Sequence, residues 1–302
     1  MRRYLPVVIV AALVFGGIYA ARLAQTAFGN CALHQSASVN RIVSLAPSVT
    51  ETVFALGACD KLVGVTRYCD YPLAAKKIAK IGGYIDPSFE AIVRLKPDIV
   101  IITTGNSHTA KKLGELGLNV LMVDHNTVSG IIDSITRIGH TVGAETKADE
   151  IISDIRKRIE DVKQRTGGLK RPSVIISIGR SMGSGIGEIY VAGKDNIYDE
   201  IIGIIGGRNA YDSEIFKTPS LSGEGITRLN PDVIIDLAPD KQKKDVEKSI
   251  SEWNMLSNVS AVKNKSVYAL AGDYVVIPGP RFINTLEDAA KVVHPEADWS
   301  YK

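Results

Sequence analysis

From Asn40 onward, the hydrophobic pattern of the chain switches repeatedly between two periods. Short β-branched apolar runs alternate with amphipathic stretches in which apolar residues recur every three or four positions. This pattern predicts strands alternating with helices, which is typical of an α/β fold built on mostly parallel sheets. In the first half, the predicted strands are Arg41–Leu45, Leu62–Val65, Ile99–Thr103 and Val120–Val123, and the predicted helices are Ser48–Leu56, Phe89–Leu95 and Ala110–Leu116.

The alternation resumes after Arg171-Pro172 with a predicted strand at Ser173–Ser177 and continues to a predicted element at Ile283–Val293. Between the two halves, residues 128–141 and 147–166 carry helical periodicity, and the second run is about 30 Å long at 1.5 Å per residue. We therefore expect one long connecting helix. The predicted organisation is an N-terminal segment (1–39), a first α/β lobe (40–145), a linker helix (146–170) and a second α/β lobe (171–302).

An internal repeat relates the two lobes. Ser88 to Ile101 reads SFEAIVRLKPDIVI and Ser222 to Ile235 reads SGEGITRLNPDVII, identical at eight of 14 positions. Each copy has a Glu near a helix start, an X-Pro-Asp stop and then a buried strand. Glu near a helix N-terminus is favoured by the helix dipole, but this does not explain why Arg, Pro and Asp also recur in register. The repeat indicates a duplicated helix-to-strand unit.

The N-terminal segment reads as an export signal, because Arg2 and Arg3 precede an apolar run from Leu5 to about Ala21. Its length lies between that of a cleaved signal and that of a membrane span, so a cleaved signal and an uncleaved anchor both remain open. Cys31 follows residues that are poorly suited to lipid attachment. We expect an extracytoplasmic protein.

The chain has 302 residues and a formal net charge of +3, with Lys and Arg dispersed among Asp and Glu, which argues against a nucleic-acid partner. Two of its three cysteines, Cys59 and Cys69, lie ten positions apart. In an exported protein this spacing predicts a disulfide, and the alternative is a pair of buried thiols.

Three tyrosines are candidate ligand-binding residues. Tyr68 and Tyr71 follow a predicted strand, and Tyr84 lies in a loop of the same lobe. The carboxyl ends of strands are where open α/β sheets place ligands, and amphipathic rings can stack on a large ligand. The alternative is that these rings only bridge surface and core.

The second lobe offers Asp273 and Tyr274 just past a strand, and Arg281 at the start of the last helix. These residues could face the tyrosines across a cleft. A helix N-terminus disfavours Arg, so Arg281 needs a specific partner, either a ligand or a carboxylate such as Asp273 or Glu287.

Catalytic motifs are absent from the sequence. The five histidines have no metal-ligand spacing, and no nucleophile elbow or Walker loop occurs. We therefore expect no metal site, no catalytic cofactor and no enzymatic activity. An enzyme on the same scaffold and a membrane-anchored sensor are the alternatives.

The motifs together resemble the class III periplasmic binding proteins, which serve cobalamin, ferric siderophores and haem. The residues that carry the resemblance are RIVSLAPSVTE at 41–51, YCDYP at 68–72, the two ExIxRLxPD segments and GPR at 279–281. The resemblance implies two Rossmann-like lobes joined by one rigid helix, with the ligand in a shallow cleft. It also implies that Glu90 and Glu224 dock onto an ABC permease dimer, and we expect the protein itself to be a monomer.

The YCDYP segment is most similar to the cobalamin-binding branch. That similarity implies a tyrosine region stacked on the corrin and Asp273 at the ligand. Trp253 and Trp299 fall outside the motif positions at which that branch often carries Trp. The expected ligand is cobalamin, with a ferric siderophore or haem as the alternative.

Overall fold

The computed structural model describes residues 39–180, 186–239 and 243–300, with no side-chain description for 243–245. The predicted export signal and Cys31 lie outside these residues. Within the described ranges, no helix is both long enough and apolar enough to cross a membrane.

The N-terminal lobe is built on a four-stranded, fully parallel sheet. Its strands are β1 (Ile42–Ser44), β2 (Leu62–Val65), β3 (Ile99–Thr103) and β4 (Val120–Val123), in the order β2-β1-β3-β4. The helices are α1 (Pro47–Ala55), α2 (Phe89–Arg94), α3 (Ser107–Glu115) and α4 (Val128–Val142). Each strand was predicted within one residue at either end, because continuous β-branched runs mark buried parallel strands clearly.

A single 22-residue helix, α5 (Glu145–Thr166), connects the two sheets. Its apolar residues Ile152, Ile155, Ile159 and Val162 are buried, and they belong to one apolar cluster that includes residues of both sheets, such as Ile42 and Val174. The helix is therefore packed against both lobes along its length, as a rigid connection requires.

The C-terminal lobe is built on a mixed sheet. Its strands are β5 (Ser173–Arg180), β6 (Ile189–Val191), β7 (Arg208–Asn209), β8 (Ser220–Leu221), β9 (Val233–Ala238) and β10 (Val267–Ala271). The strand order is β10-β9-β5-β6-β8, and β7 pairs with β5. The helices of this lobe are α6 (Ile197–Ile204), α7 (Gly223–Leu229), α8 (Lys243–Glu252), α9 (Ser260–Lys263) and α10 (Phe282–Val293). β6 and β8 run antiparallel to their neighbours. They were not predicted, because two or three residues carry no readable period.

The internal repeat has the same structure in both lobes. Ser88 caps α2 and Ser222 caps α7, each accepting a hydrogen bond from the backbone N–H three residues later. The recurring Asp also has a role: Asp98 accepts the backbone N–H of Arg41 at 2.9 Å, and Asp232 accepts that of Ser173 at 2.8 Å. In each lobe the Asp after the helix thus holds the start of a neighbouring strand, β1 or β5, which explains why it recurs.

The predicted Cys59–Cys69 disulfide is wrong, because both cysteines are free. Cys59 is exposed in a short 3-10 turn before β2, whereas Cys69 is buried beyond the other end of that strand. Four strand residues span about 13 Å, and a disulfide requires Cα atoms within about 7 Å. Cys69 contacts Thr50 and Thr66 instead, with its Sγ 3.2 Å and 3.1 Å from their Oγ1 atoms. Only Cys69 fits the alternative of a buried thiol.

Candidate functional site

A cleft lies between the lobes at the carboxyl ends of the parallel strands. It contains a cavity of about 400 Å³. Its described lining residues come from both lobes: Pro47, Glu51, Tyr68, Asp70, Tyr71, Tyr84, Pro239, Asp273, Val276 and Ile277. Strand ends place their following loops at the same edge of a sheet, so two sheets that face each other build one site from many short segments.

Two of the predicted tyrosines present their rings to solvent at this cavity. Tyr68 is 57% exposed and Tyr71 is 45% exposed. The guanidinium of Arg67 lies 5.5 Å from the centroid of Tyr68, and that of Arg281 lies 3.7 Å from the centroid of Tyr71. Large aromatic rings that remain this accessible inside a cleft are suited to stacking on a flat or apolar ligand.

Tyr84 is half-buried and held in place. Its hydroxyl lies 2.7 Å from Thr103 Oγ1, and its carbonyl accepts the side-chain amide of Asn106 at 2.6 Å. A Cβ atom at Gly105 would lie 3.2 Å from the hydroxyl, which leaves little room for it to move. Tyr84 therefore forms a fixed wall of the cleft, in contrast to the more exposed Tyr68 and Tyr71.

Asp273 and Tyr274 begin a 3-10 turn that directly follows Gly272. Gly272 has φ 128°, and a Cβ there would lie 2.5 Å from the ring of Tyr274, so glycine is required. Asp273 lines the main cavity. Tyr274 donates its hydroxyl proton to Asp288 at 2.7 Å, and burial together with this carboxylate raises the pKa of Tyr274 to about 12. Tyr274 is thus engaged within its own lobe.

Arg281 joins the two lobes. Its Nε donates to Glu51 at 2.8 Å, and Nη1 and Nη2 donate to Asp273 at 2.9 Å each. The specific partner that the sequence predicted for Arg281 is therefore a carboxylate. Asp273 is such a partner, whereas Glu287, the other candidate, pairs with Arg158 on α5. Burial raises the pKa of Glu51, although the hydrogen bonds from Arg281 oppose that rise. The same guanidinium lowers the pKa of Asp273.

A smaller cavity of about 190 Å³ adjoins the main one and shares Pro47, Tyr84, Val276 and Ile277 with it. His125, the second residue after β4, lines this inner cavity. Its Nδ1 lies 2.7 Å from Ser48 Oγ, and among the described residues its buried Nε2 has no hydrogen-bond partner. Burial lowers the pKa of His125 to about 4, so the ring is neutral at physiological pH.

Glu51 and His125 were not predicted as site residues. Glu51 lies inside an ordinary amphipathic helix pattern, and His125 is a single histidine without a partner in sequence. The available signal was position: both residues lie within seven positions of the end of a parallel strand of the same sheet, as Tyr68 and Tyr71 do.

Glu90 and Glu224 are both exposed, each at the second position of its helix. Glu224 also lines a shallow groove together with Ile186 and Leu256. The two carboxylates thus occupy equivalent positions in the repeated unit, on different lobes.

Comparison with known proteins adds to this geometry. Residues 42–274 match the periplasmic binding protein family. The chain is 34% identical over 264 residues to the uncharacterized ABC transporter substrate-binding lipoprotein YvrC of Bacillus subtilis, covering 85% of this chain and 80% of YvrC. It is 28% identical to the vitamin B12-binding protein of Vibrio cholerae, covering 82% and 86%.

A solved structure of a protein from Staphylococcus epidermidis is also similar. That protein is described as a possible iron-binding, periplasmic solute-binding protein. The two structures superpose with a TM-score of 0.70 at 27% identity, covering 85% of this chain and 99% of the other.

Proposed function

The chain belongs to the periplasmic binding protein family, and on that premise we propose that it captures cobalamin or a related corrinoid in the inter-lobe cleft. Membership of this family establishes the general role of the chain. It is the extracytoplasmic, non-enzymatic solute-binding protein of an ABC transporter. The proposal concerns the ligand, the residues that bind it and the residues that contact the permease.

The charge of the cleft carries the proposal. None of the described residues that line the two cavities is a lysine or an arginine, whereas Glu51, Asp70 and Asp273 line the larger one. Arg281 is paired with two carboxylates, and Arg67 is paired with Asp86. Because Glu51 and Asp273 share Arg281 and Asp70 lines the same cavity, an anionic ligand such as haem, with its two propionates, would meet a net negative charge. A corrinoid whose side arms end in neutral amides would not.

The tyrosines supply contact area for such a ligand. Tyr68 and Tyr71 offer accessible rings, and Tyr84 forms the fixed wall between the two cavities. Aromatic rings bury large apolar area while their hydroxyls keep a hydrogen bond, which suits a macrocycle with a polar rim. The vitamin B12-binding relative from Vibrio cholerae supports the same ligand class.

The alternative ligand is a ferric siderophore or haem. Similarity to the Staphylococcus epidermidis protein favours an iron ligand, and exposed phenols are suitable ligands for ferric iron. The charge argument restricts this alternative to uncharged chelates such as ferric hydroxamates.

Isothermal calorimetry with the purified protein tests the ligand. We expect binding heat with cyanocobalamin, weaker binding after Tyr71→Ala, and little change after Tyr190→Ala, an exposed tyrosine outside the two cavities. If cyanocobalamin gives no binding heat and does not co-elute with the protein, the cobalamin proposal is refuted. Heat only with a ferric hydroxamate would establish the alternative.

We further propose that Glu90 and Glu224 contact the permease dimer. A two-fold symmetric partner presents the same surface twice, and the repeat offers the same exposed carboxylate twice. Combining Glu90→Ala with Glu224→Ala should leave ligand affinity unchanged and abolish uptake in transport assays. The matched control is Glu115→Ala with Glu247→Ala, also at exposed helical positions. Unaltered uptake by the first pair would contradict this docking.

The N-terminal segment is proposed to direct export and then either to be cleaved or to remain as an anchor. Mass spectrometry of the exported protein decides between them, because a mature N-terminus beyond Ala21 removes the apolar run.

A further inference from the structure

The inner cavity adjoins the main cavity of the cleft and is lined by the buried side chain of His125. Its walls come from the N-terminal lobe and from residues Val276, Ile277 and Pro278 of the C-terminal lobe. At about 190 Å³ it accommodates a short side arm with a few atoms but no macrocycle, since a water molecule alone occupies about 30 Å³ in the liquid. A ligand in the main cavity could reach it only with a substituent.

Among the described polar residues that line the inner cavity, His125 is the one with a buried side-chain atom that lacks a hydrogen-bond partner. Its Nδ1 is within hydrogen-bond distance of Ser48 Oγ, whereas its Nε2 has no hydrogen-bond partner among the described residues. Such a group costs free energy unless something satisfies it, so an unpaired imidazole nitrogen favours a ligand that does. Because the ring is neutral, Nε2 is a donor in one tautomer and an acceptor in the other.

We propose that the inner cavity binds an uncharged amide side arm of the ligand through His125 Nε2, and that His125 thereby determines specificity for amide over carboxylate arms. This inference rests on the proposed corrinoid ligand. A primary amide both donates and accepts, so it pairs with either tautomer. A carboxylate only accepts, and here it would be buried without a cation among the described lining residues.

Two substitutions separate a ligand contact from a structural role. In His125→Asn the side-chain amide lies where Nδ1 was, which keeps the contact to Ser48 and removes Nε2. In His125→Gln the amide reaches the position of Nε2. We expect His125→Asn to weaken cyanocobalamin binding about tenfold, the equivalent of one lost hydrogen bond, and His125→Gln to weaken it less than threefold.

Ser48→Ala is the matched control, because it removes the partner of Nδ1 and leaves Nε2 in place. A purely structural histidine would give the reverse order, with Asn tolerated and with Ser48→Ala as harmful as any change at position 125. Unfolding curves of each variant show that binding is compared between folded proteins.

A second probe is a corrinoid whose side-arm amides have been hydrolysed to carboxylates. The wild type should bind it at least tenfold more weakly than cyanocobalamin, and His125→Asn should reduce that preference. Equal affinities of the wild type and His125→Asn for cyanocobalamin, or an unchanged preference, would overturn the subsite while the corrinoid function stands. Failure of the wild type to bind any corrinoid would overturn both.

Discussion

Two arginines of this protein, Arg180 and Arg281, each contact two carboxylates and lie over one or two aromatic rings, but in different settings. Arg180, at the end of β5, donates to Asp236 at 3.2 Å and to Glu252. Its guanidinium lies 5.5 Å from the ring of Trp253. The side chains of Arg180 and Asp236 are each 1% exposed, and all of these residues belong to the C-terminal lobe. This cluster fastens α8 and the following turn to the sheet.

Arg281 has the same kinds of partner, but they come from both lobes. Glu51 is on α1 of the N-terminal lobe, Asp273 is on the C-terminal lobe, and Tyr71 stacks on the guanidinium. The Arg281 side chain is 17% exposed beside the cleft. The Arg180 cluster can break only when its lobe unfolds, whereas the Arg281 cluster can also break when the lobes separate. We therefore expect the Arg180 cluster to serve stability alone and the Arg281 cluster to assist ligand capture as well.

The largest effect is expected at Arg180. Arg180→Met removes the cation that contacts the buried Asp236 and the half-buried Glu252, and breaking the buried Arg180–Asp236 pair costs about 3–5 kcal/mol of unfolding free energy. Urea denaturation measures this loss. Arg158→Met is the control, because the Arg158–Glu287 pair is more exposed and its loss should cost less. A loss below about 1 kcal/mol at Arg180 would show that its lobe relaxes around the vacant site.

Acid should destabilise the protein through His125. His125 stands on the cleft wall, bonded to Ser48 on the same helix as Glu51. Its folded-state pKa is about 4 against 6.5 unfolded, so protonation favours the unfolded state. The contribution of the neutral His125 ring to the free energy of unfolding is fully present above about pH 6.5. It is lost as the pH drops toward 4, by at most about 3 kcal/mol.

Urea unfolding at pH 7 and at pH 4.5 measures this dependence, and His125→Asn should reduce it. The raised pKa of Glu51 acts in the opposite direction, since the folded state then retains a proton that the unfolded state has lost. The difference between the wild type and His125→Asn isolates the histidine. An identical pH dependence of the two proteins would contradict burial of a neutral imidazole.

Much of the fold was predictable because it depends on local patterns. β-branched runs fixed β2, β3 and β4 to the residue, and the period of 3.6 located α5. The repeat was recognisable as a duplication, but the reason for its recurring Asp was not. Asp98 and Asp232 bond to residues 57 and 59 positions away, a pairing that depends on strand order.

The site was predictable only in part for the same reason. Loops after strands indicated Tyr68, Tyr71 and Asp273, which line one cavity. Glu51 and Arg281 are 230 positions apart, and no local pattern relates them. The disulfide prediction failed because spacing in sequence ignored that a whole strand separates Cys59 from Cys69.

The smallest effect on stability, and the one most informative about function, is expected at Arg281. Arg281→Met should cost about 1–2 kcal/mol of unfolding free energy, less than Arg180→Met. Water reaches this cluster, and Arg281 offsets only part of the cost of burying the Glu51 carboxylate. The substitution should also weaken ligand binding, since Tyr71 loses its stacking partner and the lobes lose their bridge. Arg180→Met should leave ligand affinity of the folded protein unchanged.

A double-mutant cycle with Glu51→Gln and Arg281→Met measures the bridge itself. Residues in direct contact couple by about 0.5–3 kcal/mol, and we expect this coupling in the ligand affinity as well as in the unfolding free energy. The corresponding cycle with Asp236→Asn and Arg180→Met should show coupling in unfolding alone. If the Glu51–Arg281 cycle also couples only in unfolding, the bridge stabilises the protein without assisting ligand capture, and the two arginine clusters are equivalent after all.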